Sequence, residues 1–153
     1  MTRVLMPGGF SDAAIYIDES TSKERRQLHK SHAFGIDSVL REELGTVWEE
    51  CRHSNWDGYQ AVAMSRDTLQ NAYVFLESLP LGYPAPSVGA EPDGNLTLEW
   101  HRAPRRTLSI SITPEGDIHY AALFGPNRVY GTEAFFGEVP LNILGLIRRA
   151  YTA

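Results

Sequence analysis

The sequence predicts an α+β fold, a two-layer sandwich in which an antiparallel β-meander of four or five strands packs on about three helices. Two patterns support this prediction. In two segments of the first half and in the C-terminal segment, apolar residues recur every three or four positions, as on one side of a helix. Between residues 96 and 124 they alternate with polar residues, as in strands that bury one face. Such strands need cover on one side only, and amphipathic helices supply it.

Length and composition fit one soluble domain. A chain of 153 residues with 42% hydrophobic and 22% charged residues is typical of a globular domain, not of a disordered or fibrous one. No apolar run approaches the roughly 18 residues that cross a bilayer, and the N-terminus lacks the apolar block of a secretion signal. We therefore expect no membrane association and a cytoplasmic location. The single cysteine, Cys51, predicted to be buried and inert, fits a reducing compartment.

The chain divides into an N-terminal arm, residues 1–35, and a single α+β domain, residues 36–153. The arm combines a Pro-Gly-Gly turn, a short apolar stretch that favours one edge strand, and a long polar stretch, so we expect it to be partly flexible. Two helices follow. The first has Leu40, Leu44 and Trp48 on one side and glutamates on the other. The second begins after a Ser65 cap and ends before Pro80.

Three strands give the clearest pattern in the chain. They cover residues 96–101, 108–112 and 118–124. A Pro-Asp-Gly-Asn turn precedes the first strand, and a Pro-Glu-Gly-Asp turn joins the second to the third. Weaker strands are predicted at 87–90 and 128–132. A final helix over residues 141–151 closes the core.

The polar face of the meander is the first candidate site. A compact turn between the second and third strands places Ile112 opposite Ile118, and therefore Ser111 beside His119. The candidate binding residues on this face are Glu99, His101 and His119. Strands two apart in a sheet are separated by about 9.6 Å, so these side chains are too distant to share a metal ion, and we expect no metal and no cofactor. We predict no exposed aromatic residue on this face, which disfavours RNA binding by base stacking.

The second candidate site is the turn that contains Trp56, Asp57 and Tyr59. Two large aromatic side chains beside a turn can anchor a partner protein, because Trp and Tyr dominate interface hot spots. We favour the alternative that Trp56 folds back onto the helices. In that interpretation Asp57 accepts hydrogen bonds from the backbone of the turn.

The third candidate site is the loop from Arg102 to Arg106, where Arg105 and Arg106 follow a proline. Arginines in a stiff strand connection suit an acidic partner, a phosphate or an RNA strand. An exposed loop with solvated charges is an equal alternative. The formal net charge of −5 opposes tight, non-specific attachment to nucleic acid, which is the least favoured of these partners.

Three strings carry a resemblance to a known family. Asn-Trp-Asp-Gly-Tyr at 55–59, Pro-Asp-Gly at 92–94 and Leu-Glu-Trp at 98–100 resemble those of a small family of uncharacterised bacterial proteins. The similarity covers residues 54–150. It implies a bacterial origin and a setting among defence, toxin-neutralising or mobile-element genes, and it supplies no catalytic residue.

The sequence contains no phosphate-binding loop, no zinc-protease helix, no hydrolase elbow and no dinucleotide fingerprint. We therefore expect a non-enzymatic, acidic protein that binds another protein through its acidic helix face, a sheet edge or loops. An immunity, antitoxin-like, inhibitor or defence-associated accessory factor fits this description. Two alternatives stay open: a small-ligand binder or enzyme that uses the polar face of the sheet, with Ser109 and Ser111 added to its candidates, and nucleic-acid contact through the Arg102–Arg106 loop.

Overall fold

The computed structural model describes residues 38–152, so the arm predicted at 1–35 lies outside the described residues. This part of the chain contains three helices and five strands. The helices are α1 (Ser38–Cys51), α2 (Arg66–Glu77) and α3 (Leu141–Tyr151). The strands are β1 (Ser87–Ala90), β2 (Leu96–Ala103), β3 (Arg106–Ile112), β4 (Asp117–Phe124) and β5 (Asn127–Ala134). The predicted α+β arrangement is confirmed.

The five strands form one antiparallel sheet in chain order, β1-β2-β3-β4-β5. Helix α1 lies against the edge strand β1, and α2 and α3 cover the middle of the sheet. The buried side chains of the helices and of one sheet face belong to a single core cluster. The opposite, polar face of the sheet, here called the outer face, points away from the helices.

The register between β3 and β4 matches the prediction from the turn that joins them. Ile112 pairs with Ile118, which places Ser111 beside His119. The turn itself is held by the Thr113 hydroxyl, which donates to the carbonyl oxygen of Asp117 at 3.1 Å. A slip by one residue would expose the apolar face of β4 to water, so core burial and turn geometry select the same register.

Trp100 anchors the core beneath β2. Its side chain is completely buried, and its indole Nε1 donates to the carbonyl oxygen of Pro84 at 2.8 Å. The Phe75 ring lies between Trp100 and Phe135, with ring centroids 6.4 Å and 5.7 Å away. The cluster of Phe75, Trp100 and Phe135 therefore fixes three segments to the sheet: helix α2, the connector between α2 and β1 that contains Pro84, and the residue that follows β5.

Helix α2 is fixed by a hydrogen bond at its start and by another from its interior to the sheet. The Ser65 side chain accepts from the backbone N–H of Thr68 at 3.2 Å, as its position before the helix predicts. Inside the helix, Asn71 Nδ2 donates to the carbonyl oxygen of Thr113 at 2.9 Å. This bond ties α2 to the end of β3.

Among residues 38–152, no helix is long and apolar enough to cross a membrane.

Gly131 tests the contact between β4 and β5. A Cβ atom at this position would lie 2.6 Å from the Tyr120 hydroxyl oxygen, and Asn142 Nδ2 also donates to that oxygen. We expect Gly131→Ala to lower the free energy of unfolding in urea by about 1–3 kcal/mol because the Tyr120 ring must move. The control is Gly89→Ala in β1, whose Cβ meets nothing within 4 Å. Equal stability of the two variants would contradict this account.

Candidate functional site

The outer face carries a row of polar side chains across four strands. Pairing places Thr97 beside Ser111, Ser111 beside His119, and His119 beside Thr132. Thr97, Ser111 and His119 all lie on the face that the sequence predicts to be polar. The extension to Thr132 comes from the pairing of β5 with β4, which the sequence analysis did not derive.

The predicted binding residues of the outer face contact hydroxyl groups on neighbouring strands. His119 Nδ1 lies 2.9 Å from Thr132 Oγ1, and His101 Nδ1 lies 3.0 Å from Thr107 Oγ1. The Ser109 hydroxyl donates to the Glu99 carboxylate at 3.2 Å. The three titratable groups therefore do not converge. Within the described part of the chain, no group of three His, Cys, Asp or Glu side chains is arranged to hold a metal ion.

Glu91 is an outer-face residue that the sequence analysis missed. It follows β1, and its carboxylate accepts hydrogen bonds from the hydroxyls of Thr97 and, at 2.9 Å, Ser111. Its backbone N–H donates to the carbonyl oxygen of Asn95 at 2.9 Å, which closes the Pro-Asp-Gly turn. The alternation of β1 continues through Glu91, and that continuation is the signal that predicts its outward orientation.

The prediction that the outer face carries no exposed aromatic residue is wrong. Tyr130 pairs with Ala121 on this face, and 78% of its surface is exposed. Beside it lies a shallow depression of about 450 Å³ whose outer-face lining includes Thr107 and Leu123. The prediction omitted β5 from the outer face, because the inward positions of β5 include Gly131 and a glutamate and so lack clear alternation.

The turn from Asn55 to Ala61 is closed by its own hydrogen bonds. The Asp57 carboxylate accepts from the backbone N–H groups of Tyr59 at 2.7 Å and Ala61 at 3.1 Å. Trp56 packs against the core, and its Nε1 donates to the carbonyl oxygen of Val62 at 3.0 Å. These contacts match the structural interpretation favoured from the sequence. Tyr59 projects into solvent with 87% of its surface exposed.

Arg106, at the start of β3, contacts the end of α3, and the preceding Arg105 contacts the β4–β5 turn. Arg106 Nη1 donates to the carbonyl oxygens of Arg149, at 2.8 Å, and Thr152. Arg105 Nη1 donates to the carbonyl oxygen of Gly125 at 3.3 Å. Arg106 is therefore tied into the fold, whereas Pro104 and Arg105 are exposed at the tip of the connection, as one alternative from the sequence has it.

A cleft of about 660 Å³ lies between this loop and the end of α3. We call it the arginine cleft. Its lining consists of Ala103, Pro104, Arg105, Arg106, Phe124, Gly125, Arg149 and Thr152. The Arg149 guanidinium lies 4.4 Å from the centre of the Phe124 ring. The sequence analysis named Arg105 and Arg106 but missed Arg149, which lies in the last turn of α3.

The charges of the domain are separated between the two ends of the sheet. Six of the nine arginines of residues 38–152 lie around the β2–β3 and β4–β5 turns and the end of α3. They are Arg102, Arg105, Arg106, Arg128, Arg148 and Arg149. The opposite end carries Glu91, Asp93, Glu115, Asp117, Glu133 and Glu138. A protein with a net negative charge therefore has one strongly basic end.

Comparison of the chain with protein-family models, with curated proteins and with solved structures found no match. The resemblance of residues 54–150 to a bacterial family stays a prediction. The function must therefore be inferred from the geometry and charge of the surfaces described above.

Cys51 offers a test of core burial under α1. The thiol is buried, and burial, followed by the nearby Glu50 carboxylate, raises its pKa. Because the thiolate is the form that alkylating reagents attack, we expect iodoacetamide to modify the native protein at least about tenfold more slowly than the urea-unfolded protein at a pH of about 8. Mass spectrometry of timed samples measures both rates. Equal rates would show that the thiol is accessible in the folded protein.

Asp57 tests whether the turn at 55–61 is a structural element. We expect Asp57→Ala to lower the free energy of unfolding by about 1–2 kcal/mol, because two backbone N–H groups lose their acceptor. Asp57→Asn keeps an acceptor oxygen at the same position and should lose less. Urea unfolding of both variants measures the difference. Equal losses would show that the side-chain oxygen does not hold the turn.

Proposed function

We propose that this protein is a non-enzymatic binding module that takes an extended segment of another protein along strand β5. The observation that carries the proposal is an edge of the sheet that no other strand of residues 38–152 pairs with. β5 pairs with β4 on one side and is the last strand of the sheet on the other. Addition of a partner strand to such an edge is a common mode of peptide recognition.

The hydrogen-bonding groups of β5 are oriented for this mode. The backbone N–H of Phe135 donates to the carbonyl oxygen of Gly116 at 2.8 Å and continues the β4–β5 ladder. Because bonding alternates along an antiparallel strand, the N–H and C=O groups of Arg128, Tyr130 and Thr132 point to the open edge. β5 spans eight residues without proline or lysine, residues that commonly block exposed edges.

Exposed apolar side chains flank the same edge. Tyr130 lies on the strand, Phe136 follows it, and Leu141 begins α3; their exposed fractions are 78%, 89% and 84%. Asn142 Nδ2 donates to the Glu133 carboxylate at 3.0 Å, so the start of α3 lies beside β5. Exposed apolar groups near this edge of β5 support a contact surface, since a partner would remove them from water.

The charge beside the edge indicates the chemistry of the partner. Arg128 and Tyr130 both project from the outer face. If a partner strand were added to β5, every second side chain of that strand would lie on the same face, beside them. A segment with an acidic residue opposite Arg128 and an apolar residue opposite Tyr130 fits best, because opposite charges and aromatic pairs stabilise neighbouring strands. The exposed glutamates of α1 and Tyr59 lie outside this surface.

The contacts on the outer face favour binding over catalysis. Glu99, His101 and His119 each contact a hydroxyl on the next strand, and not one another. The groups that would exchange protons are thus separated. An immunity, antitoxin-like, inhibitor or defence-associated role in the cytoplasm of a bacterium belongs to the same proposal.

Two edge variants test the proposal. Thr132→Pro removes an N–H that points to the open edge, and Tyr130→Lys places a charge on the strand; we expect each to lower capture of the partner by at least about tenfold. The control is Leu81→Lys, which places lysine at another exposed apolar position, between α2 and β1. Immobilised chains are exposed to lysate of the source cells, and stoichiometric partners are quantified by mass spectrometry. Thermal unfolding must show that all three variants fold.

Two outcomes would contradict this assignment. A stoichiometric partner captured equally by the parent chain and both edge variants would place the contact elsewhere. Sedimentation equilibrium of the purified chain tests whether a second copy of the chain occupies the edge. A dimer that Thr132→Pro dissociates would show that a second copy, and not a different protein, adds to β5.

A further inference from the structure

We propose that the arginine cleft is a binding site for small organic phosphates, with a nucleoside monophosphate as the best-fitting class. Arg105, Arg106 and Arg149 would hold the phosphate group. The site lies at the basic end of the domain and uses neither the peptide groups of the β5 edge nor the apolar side chains that flank it. The inference therefore goes beyond the proposed function and stands independently of it.

The lining of the cleft concentrates positive charge. Three guanidinium groups from two distant segments line one volume, and among residues 38–152 no Asp or Glu belongs to that lining. Within residues 38–152, Arg105 and Arg106 donate to backbone carbonyl oxygens and to no carboxylate. Guanidinium groups without an acidic neighbour attract anions, most strongly where a concave surface focuses the field.

The guanidinium groups are held in place before a ligand arrives. Arg106 is bonded to the carbonyl oxygens of Arg149 and Thr152, and Arg105 to that of Gly125. Arg149 stacks on the Phe124 ring. The bonds of Arg105 and Arg106 use one terminal nitrogen, Nη1, of each side chain, whereas a guanidinium has five N–H donors. The remaining donors suit bidentate contacts to an anion, at a reduced entropic cost of ordering the side chains.

The number of arginines favours a phosphate over a carboxylate. A phosphate monoester carries about −1.5 to −2 charges at neutral pH and three acceptor oxygens. A carboxylate carries one charge and two oxygens, so it would leave much of the cleft's positive charge unpaired. The planar fork of arginine matches phosphate geometry in particular.

The rest of the cleft fits the organic part of the ligand. Ala103, Pro104 and Phe124 provide apolar wall, and the flat Arg149 guanidinium lies over the Phe124 ring. Phe124 itself is buried, so the exposed Arg149 guanidinium that lies over it is the flat surface on which a nucleic-acid base can stack. The volume of about 660 Å³ falls within the roughly 300–1,000 Å³ typical of small-molecule sites. A nucleoside monophosphate combines the required charge with a flat ring.

Isothermal titration calorimetry with the full chain in low-salt buffer tests the site. The probes are AMP, ribose 5-phosphate, inorganic phosphate and adenosine. We expect saturable binding of AMP, weaker binding of the two other phosphates, and adenosine at least about tenfold weaker than AMP, because it lacks the group that the arginines hold.

Single substitutions assign the binding to the cleft. We expect Arg105→Gln and Arg149→Gln each to weaken AMP binding by about tenfold or more, as loss of one charged phosphate contact predicts. The control is Arg148→Gln, one position earlier in α3, which removes the same charge but contacts the Tyr83 hydroxyl at 2.9 Å outside the cleft. Arg149→Lys keeps the charge without the planar fork and should recover binding only in part.

Three results would overturn the proposal. The first is AMP binding that is unchanged in Arg105→Gln and Arg149→Gln. The second is the absence of saturable binding of all three phosphate probes, which would leave the arginines a purely structural role at the end of α3. The third is that single-stranded DNA binds more tightly than AMP and that Arg148→Gln weakens DNA binding as much as the cleft variants do. This result would identify an extended nucleic-acid surface. Capture of a protein partner at β5 should survive both cleft variants, so the two proposals fail separately.

Discussion

Burial of one face of the five-stranded sheet is the constraint on which the rest of the structure depends. Leu98, Trp100 and Ile110 lose all contact with water beneath the helices, and the polar atom among them, Trp100 Nε1, is bonded to the Pro84 carbonyl oxygen. Because strand side chains alternate, this burial also fixes which residues point outward. A slip by one residue would place hydroxyls and imidazoles in the core, at a large free-energy cost. The outer face is therefore specified by the apolar face beneath it.

The meander topology brings together residues that are distant in sequence. The β2–β3 and β4–β5 turns lie at the same end of the sheet, because successive strands run in opposite directions. Helix α3 ends there too, which is why Arg149 meets Arg105 and Gly125. The β1–β2 and β3–β4 turns leave at the other end with their acidic residues. Charge separation follows from topology and from which turns carry arginine.

The sequence predicts the elements, the central register and the Arg105 and Arg106 part of the arginine cleft, but not Arg149 or the position of Tyr130 on the outer face. Ile112 and Ile118 could be paired because apolar alternation and a short turn give the same answer. The position of Arg149 could not be predicted, since periodicity shows that α3 has an apolar side but not which sheet end it reaches. Tyr130 was missed for a different reason. Its strand has weak alternation, and its outward orientation is defined only by pairing with Ala121.

The location of the arginine cleft explains why it needs several arginines. The C-terminus of a helix carries a partial negative charge of about half an elementary charge, which repels an anion. The cleft lies at that end of α3, and Arg106 donates to the carbonyl oxygens of Arg149 and Thr152 there. Arg106 thus offsets the helix end through Nη1 and keeps its other N–H donors for a ligand, and Arg105 and Arg149 add further positive charge. The bonds that stabilise the end of α3 are therefore also what makes the cleft attractive to a phosphate.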